Sequence, residues 1–556
     1  MKLQPIKMIN RYNCGLALIA VALCTMQSCG GSDNKVITVP DNFEVIGNPF
    51  MPLWEHIPDG EPYVFEDPDN PGKYRVYLYG SHDIEISNYC GRNQVVWSAP
   101  IDSLNNWRYD GVIFKVDKNG KGKDQEIADM LYAPDIAVKI ENDSTKTYYL
   151  YPNNQEAGRN GMVAKSSRPD GPFEVCNWNP NNPNKTNGVL EFDPAVFVDD
   201  DGRVYGYWGF RRSYAAELDP ETMATVKEGT QIIEDMIPGY QQDKVFRFFE
   251  ASSIRKIKDK YVFIYSRWTA DGDFGLPESN YTLAYAYSDH PLGPWTYGGT
   301  IIDGRAREKG DDGSIIESAT VSGNTHGSIC EINGKWWVFY HRQTGLDEYA
   351  RQAMVAPITV KVKEGEGGKV VISEGEYTSE GFQIEGLDPL QWHPAGIACW
   401  YTGSKRAEHE WPNNVFYGSY IASAYGTETN FTEPFAIKNN INPVVNNTDG
   451  SIVGYKYFNF SKTKGKKDIR LYINLIPQGI EGNIDILLDR PWTFDGGRLI
   501  GSIHITPEMS KNSSQLSVYL PELANMSGKH AVYFVFSSPE KDKSICTLES
   551  FVFGAK

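Results

Sequence analysis

GKYRVYLYGSHD (72–83), TKTYYLYPNN (145–154), DGRVYGYWGF (201–210), KDKYVFIYSRW (258–268) and NGKWWVFYHRQ (333–343) are five versions of one phrase. Each is a polar turn carrying Lys or Arg, followed by an aromatic-rich strand with period-two alternation, the pattern of the second strand of a hairpin. Successive copies start 73, 56, 57 and 75 residues apart. That is too long for one hairpin and suits a four-stranded sheet. KSSRPDGPFEV (165–175) and AYSDHPLGPWTY (286–297) punctuate the same units with a Pro/Gly turn before an aromatic. Five similar antiparallel sheets in series predict blades set radially around an axis, a five-bladed β-propeller.

Upstream of the five turns stand GEPYVFED, YAPDIAVK, EFDPAVFVDD, FEASSIRK and THGSICEI. In each, the strand feeding the hairpin opens with a polar residue: Glu61, Asp135, Asp193, Glu250 and His326. Innermost strands of a propeller start at the same mouth of the central channel, so these five side chains are expected around one small space. A single Asp or Glu at such a place often only ties a turn by accepting N–H bonds, and Asp199, Asp200 and Asp201 in the third turn read that way. Four carboxylates and an imidazole in register point instead to a site, because gathering like charges is costly unless they are tuned or paired.

The rest of the chain agrees with a β-rich, turn-rich protein. Of 556 residues, 40% are hydrophobic, 22% charged and 13% aromatic, with 52 Gly and 32 Pro. Lys plus Arg number 54 against 71 acids, a net charge of −17, and no basic cluster is available for nucleic acid. The N-terminus reads as an export signal: Lys2, Lys7 and Arg11, an apolar run from Gly15 to Leu23, then Met26-Gln27-Ser28-Cys29. The run is too short to span a bilayer permanently. The Ser-Cys junction looks like a lipoprotein box in which Cys29 is acylated, anchoring the protein to a bacterial outer membrane, periplasmic or cell-surface. Cys90, Cys176, Cys330, Cys399 and Cys546 show neither zinc-ligand spacing nor a disulfide framework.

The ordered set YAPD, FDPAVFVDDDG, FEASSIRK and THGSICEINGKWWVFYH, over roughly residues 45–390, resembles glycoside hydrolase family 43. The resemblance implies inverting enzymes that remove arabinofuranose, xylose or related sugars from plant polysaccharides. It implies Glu250 as general acid and Asp193 as the carboxylate that orients it and raises its pKa. It also implies His326 as a channel histidine holding calcium or water at the axis. The first unit departs from the family's A-D-P phrase: GEP puts Glu61 in the general-base slot, with Asp59 two residues earlier on the same strand face as the alternative. Inverting hydrolysis needs one protonated carboxyl at the glycosidic oxygen and one carboxylate activating water opposite it. No organic cofactor is called for. Asp135, Trp208, Trp268, Arg342 and His82 are the candidates to hold the sugar, the tryptophans by stacking.

After about residue 400 the blade phrase stops. Short alternating strands such as VGYKYFNF, DIRLYINLI, NIDILLD and HAVYFVFSS predict a β-sandwich over 413–556. NIDILLDRPW, GKHAVYFVF and LESFVFG resemble the jelly roll of carbohydrate-binding module family 6, in which Tyr417, Tyr455 and Trp492 are glycan-binding candidates and calcium is a common structural ion. The expected layout is therefore a signal peptide over 1–28, a linker over 29–44, the propeller over 45–390, a linker over 391–412, then the sandwich. The function expected is an exo-acting α-L-arabinofuranosidase on plant cell-wall polysaccharide or oligosaccharide. β-Xylosidase and β-D-galactofuranosidase activities are the alternatives, and a non-catalytic surface glycan-binding protein is the reading from another class. The nucleophile motif of fructan-type glycosidases is missing.

Overall fold

The computed structural model describes residues 46–84, 88–116, 129–141, 145–321, 323–343, 346–422 and 442–554. The expected export signal and Cys29 lie outside them. Among the described residues the regular structure is β, with a few short 3-10 turns such as Asp273–Gly275 and no α-helix.

Five antiparallel sheets follow one another. The first runs Glu61–Glu66, Tyr74–Tyr79, Gln94–Pro100, Arg108–Phe114; the second Asp135–Ile140, Lys146–Tyr151, Ala164–Ser166, Glu174–Val175. The third runs Ala195–Val198, Val204–Trp208, Tyr214–Leu218, Ile233–Glu234; the fourth Phe248–Ile257, Lys260–Thr269, Ser279–Ser288, Thr296–Asp303. The fifth has three strands, Ser328–Ile332, Lys335–Arg342 and Gln352–Ile358. In all five the repeated phrase is the second strand. Its turn chemistry is visible at Asn333-Gly334, where both residues take positive φ (51° and 75°), as a tight two-residue hairpin requires.

The second strands are buried on both faces because each sheet lies between two others, which is why they read as near-continuous aromatic and aliphatic runs. Tyr79 and Leu150 join the first sheet to the second, and Tyr149 and Trp208 the second to the third. Tyr207 and Phe263 join the third to the fourth, and Ile264 and Val338 the fourth to the fifth. Trp337 and Trp97 bring the fifth back to the first. Side-chain bonds between first strands follow the same circuit: Tyr63 donates to Asp135 (2.7 Å), Asp135 accepts from Val196 N (2.7 Å), and Ser253 meets Ser328 (2.7 Å). Asn48 closes the circuit, donating to Val355 O (2.9 Å) and accepting from Val355 N (3.0 Å) on the third strand of the fifth sheet.

The C-terminal region forms two further antiparallel sheets. One orders Tyr420–Ile421, Val444–Asn447, Cys546–Gly554, Arg470–Pro477 and Ser514–Tyr519, with His393–Pro394 also paired to Cys546–Gly554. The other orders Trp400–Thr402, Ile452–Asn459, Lys529–Ser537, Gly482–Leu488 and Arg498–Ile505. Residues 391–412, expected as a linker, thus contribute a strand to each. Ile473, Phe551, Tyr455 and Phe534 fill the space between the two sheets, and the same apolar cluster runs on to Ile264, Leu283 and Val338 of the fourth and fifth sheets. Cys90, Cys176, Cys330, Cys399 and Cys546 are all free thiols.

Candidate active site

The first strands begin at one rim of the ring. Asp59 precedes the first of them by two residues, Asp193 the third by two, and His326 the fifth by two, while Glu250 is the third residue of the fourth. All four line a cavity of about 200 Å³, together with Tyr89 and Arg351. The chain turns sharply here: Asp59, Asp193 and Ala251 have φ of 59°, 44° and 67°. Such left-handed non-glycine positions cost about 1–3 kcal/mol each and persist where the surroundings hold them.

Each acid has its own environment. Asp59 accepts from Ser81 Oγ and pairs with Arg351 Nη1 at 3.1 Å, and its own N–H donates to His341 Nδ1 at 3.2 Å. His341 is therefore an acceptor at Nδ1 and donates from Nε2 to Asn324 O (2.9 Å). Burial pushes the Asp59 pKa up, but Arg351, His341, His326 and the Ser81 bond outweigh it, and the carboxyl ends below its ordinary range. Glu250 is pushed the other way: burial first, then the negative charges of Asp193 and Asp59, raise its pKa well above the usual value. Asp193 accepts from Asn153 Nδ2 (2.8 Å) and from Ala251 N (3.0 Å), so it fixes the backbone beside Glu250. Burial and Asp59 lift its pKa to about 7. One carboxylate held ionised and one carboxyl held protonated therefore face the same cavity.

Glu250, Tyr89 and Asn324 also line a second, larger cavity of about 1030 Å³ that continues outward, with Phe210, Phe249, Trp268 and residues 406–411 in its wall.

The profile of the glycosyl hydrolases family 43 matches residues 61–364. The chain belongs to glycosyl hydrolases family 43. It is a glycoside hydrolase. Among curated relatives, a xylosidase/arabinosidase of Thermoclostridium stercorarium is 31% identical over 526 residues, 90% of this chain and 98% of that protein. An arabinoxylan arabinofuranohydrolase of Paenibacillus polymyxa is 25% identical over 515 residues, 87% of this chain and 71% of the relative. Among solved structures, a family 43 arabinoxylan arabinofuranohydrolase from Bacillus subtilis, in complex with cellotetraose, has a TM-score of 0.44 at 20% identity, covering 92% of this chain and 98% of that one.

Within this family 43 fold several expected site residues lie elsewhere. Glu61 does not line the cavity: it is fully buried, with Oε2 2.7 Å from Arg255 Nη2 and 3.2 Å from Ser253 Oγ. Burial raises its pKa to about 7 against the pull of Arg255. Asp59, two residues earlier, takes the place at the cavity. Asp135 is buried, accepting from Tyr63 and Val196, and joins sheets rather than touching either cavity. Trp208 stacks on Tyr214 (centroids 5.7 Å, 16°) inside the core between the second and third sheets. Arg342 is fully buried and donates to Gln352 Oε1 and to the carbonyls of Gly396 and Ala398, fastening the fifth sheet to the C-terminal region. His82 is buried between Asn93 (2.6 Å) and Glu55 (3.3 Å), behind the cavity wall. Trp268 does line the larger cavity, half-buried against Phe249 and Tyr240.

His326 reaches the cavity. Its Nε2 lies 3.8 Å from Glu61 Oε1 and its Nδ1 3.8 Å from Asp193 Oδ2, and burial lowers its pKa to about 4, so the ring is neutral. Ca²⁺ takes six to eight oxygen ligands. Of the acid oxygens near His326, Glu61 belongs to a carboxylate already paired with Arg255, and no group of three or more His, Cys, Asp or Glu among the described residues is arranged to hold a metal. These residues do not fit calcium, and no catalytic step is routed through it.

Arg351, Tyr89 and Glu348 at the site were not anticipated. Arg351 stands just before the Gln352–Ile358 strand, and nothing local marks it as the partner of acids near residues 59 and 83. Among the glycan-binding candidates of the C-terminal region, Tyr455 is fully buried, and Trp492 packs edge-on against Trp400. Tyr417 donates to Glu408 at 2.8 Å.

Proposed function

We propose that the protein is an inverting, exo-acting glycosidase that removes single α-L-arabinofuranosyl residues from plant polysaccharide or oligosaccharide chains. The observation that carries this reading is the small cavity in which Asp59 is held ionised and Glu250 protonated. Asp59 is the general base and takes a proton from the attacking water. Glu250 is the general acid and gives its proton to the glycosidic oxygen as the C–O bond breaks. Asp193 is the positioning residue, holding the backbone at Ala251 and keeping Glu250 protonated by its charge. Inversion by this pair needs no covalent intermediate. The base assignment moves from Glu61 to Asp59.

A cavity of about 200 Å³ leaves room for one sugar ring, which supports exo action. The names of the relatives support arabinofuranosides first and β-xylosides second. The five sheets form a five-bladed propeller in this reading, and the two C-terminal sheets a sandwich that buttresses it. The N-terminal motif supports a lipid on Cys29 as a membrane attachment.

The test is hydrolysis of a panel of aryl furanosides and pyranosides by protein truncated after Cys29, with the anomer of the first product followed by NMR. An aryl arabinofuranoside cleaved with inversion upholds the reading. Glu250→Ala then loses roughly 10²–10⁴-fold on oligosaccharides and far less on a dinitrophenyl glycoside, whose leaving group needs no proton. Retention of configuration, or no cleavage of any glycoside, overturns it.

A further inference from the structure

The larger cavity has a wall that does not come from the five sheets. Between strand Trp400–Thr402 of one C-terminal sheet and strand Tyr420–Ile421 of the other, the chain makes an excursion with its own hairpin, Glu408–Glu410 against Asn413–Val415. Trp411 and Pro412 form the two-residue turn. The hairpin is fastened to the loop after the second strand of the fifth sheet. Glu348 N donates to Pro412 O (3.0 Å), Asn414 N donates to Leu346 O (2.6 Å), and His409 Nε2 lies 3.0 Å from Glu348 Oε1. Glu348 in turn accepts from Tyr89 OH, and Tyr89 lines both cavities. The turn is thus held at the site, yet Trp411 is 71% exposed while lining the larger cavity. A tryptophan presented to solvent from a pinned turn is not a packing residue.

Where the substrate lies follows from the chemistry of Glu250. A general acid touches the oxygen of the leaving group, so whatever is attached to the cleaved sugar must extend into the space on the outer side of Glu250. That space is the larger cavity, some five times the volume of the inner one. Its lining acids, Glu250, Glu278, Glu317, Glu348, Glu408 and Glu410, outnumber Arg211 and Arg406. A chain of uronates would be repelled there and a neutral chain would not.

We propose that Trp411 is the stacking platform for a neutral pyranose main chain on the leaving side of the scissile bond, so that the C-terminal region sets which polysaccharide is debranched. This rests on the arabinofuranosidase reading given above. The C–H face of a pyranose lies on the indole, while the hairpin's bonds to Leu346 and Glu348 fix the distance from indole to acid.

The experiment compares kcat/KM for an arabinofuranosyl-substituted xylotriose with kcat/KM for 4-nitrophenyl α-L-arabinofuranoside, in wild-type, Trp411→Ala and Trp411→Phe proteins. The alanine variant is expected to lower the oligosaccharide-to-aryl ratio about tenfold, mainly through KM, with the phenylalanine variant restoring most of it. An unchanged ratio overturns the proposal. Calorimetric titration of xylotetraose into the same proteins is independent of catalysis. Weaker binding by Trp411→Ala supports the platform even if the wild type cleaves neither substrate, an outcome that sinks the arabinofuranosidase reading alone. Equal binding by wild type and variant, or none by the wild type, overturns the platform.

Discussion

Arg351 Nη1 lies 3.1 Å from Asp59 Oδ1, and the other edge of the same guanidinium is engaged by Asp83, whose Oδ1 is 2.9 Å from Nη2. Asp83 aims the cation, and the cation keeps Asp59 ionised. Arg351 also opposes the rise of the Glu250 pKa. Replacing it with Met raises both groups. Protonation of Asp59 then shuts off activity at a higher pH than in the wild type, and loss of the Glu250 proton is likewise delayed. Both limbs of the kcat/KM profile move to higher pH. The variant also loses about 3–5 kcal/mol of stability from the buried acids left behind, readable by denaturant unfolding.

Asp59 and Glu61 stand in different surroundings although only one residue lies between them: Asp59 lines the inner cavity and Glu61 is buried against Arg255. Asp59→Asn is expected to cut kcat by roughly 10²–10⁴-fold with the fold intact. Glu61→Gln, which keeps the shape beside Arg255, is expected to cost far less activity. Glu61→Ala strands a buried guanidinium and lowers stability by about 3–5 kcal/mol. Comparable loss of kcat in Glu61→Gln and Asp59→Asn, with both proteins equally stable, would return the base to Glu61.

Asp193→Asn removes a negative charge that raises the Glu250 pKa. The acid then surrenders its proton at lower pH, so the alkaline limb of kcat/KM moves down while the acid limb, set by Asp59, moves little. A pH profile between 4 and 10 would read both, and an alkaline limb that stays put would remove Asp193 from its role.

Much of the fold was legible because the repeated phrase is the strand buried on both faces. Burial on two sides leaves an aromatic run that survives divergence of the other strands. Asp193 and Glu250 were legible for a related reason, since they sit at fixed offsets before that phrase. Trp208 and Arg342 misled because alternation along a strand gives two faces, and which one meets a cavity depends on the neighbouring sheet. Trp208 turns to Tyr214, and Arg342 to the carbonyls of Gly396 and Ala398. Glu61 and Asp59 read as one strand face in the sequence, but the chain turns at Asp59 before the strand begins, and partners from elsewhere distinguish them, Arg351 for Asp59 and Arg255 for Glu61. The hairpin at 408–415 has no apolar period at all: it is held by bonds to Leu346 and Glu348, which no local pattern announces.

The C-terminal sheets are expected to be indispensable for solubility. Protein ending at residue 390 would expose the apolar surface that Ile264, Leu283 and Val338 share with them. At about 25 cal/mol per Å² of apolar area, such a face drives association, and sedimentation would show aggregates instead of a smaller monodisperse species.

Asn48 finds its partners at Val355 and Thr378, 307 and 330 positions along the chain. During synthesis at about 5–20 residues per second the first segment therefore waits on the order of tens of seconds before its counterpart exists. A ring latched by its two distant ends folds late and as a whole, with little reward for early partial closure. A polypeptide built this way stays unlatched until the fifth sheet has been made, with the two C-terminal sheets still to come.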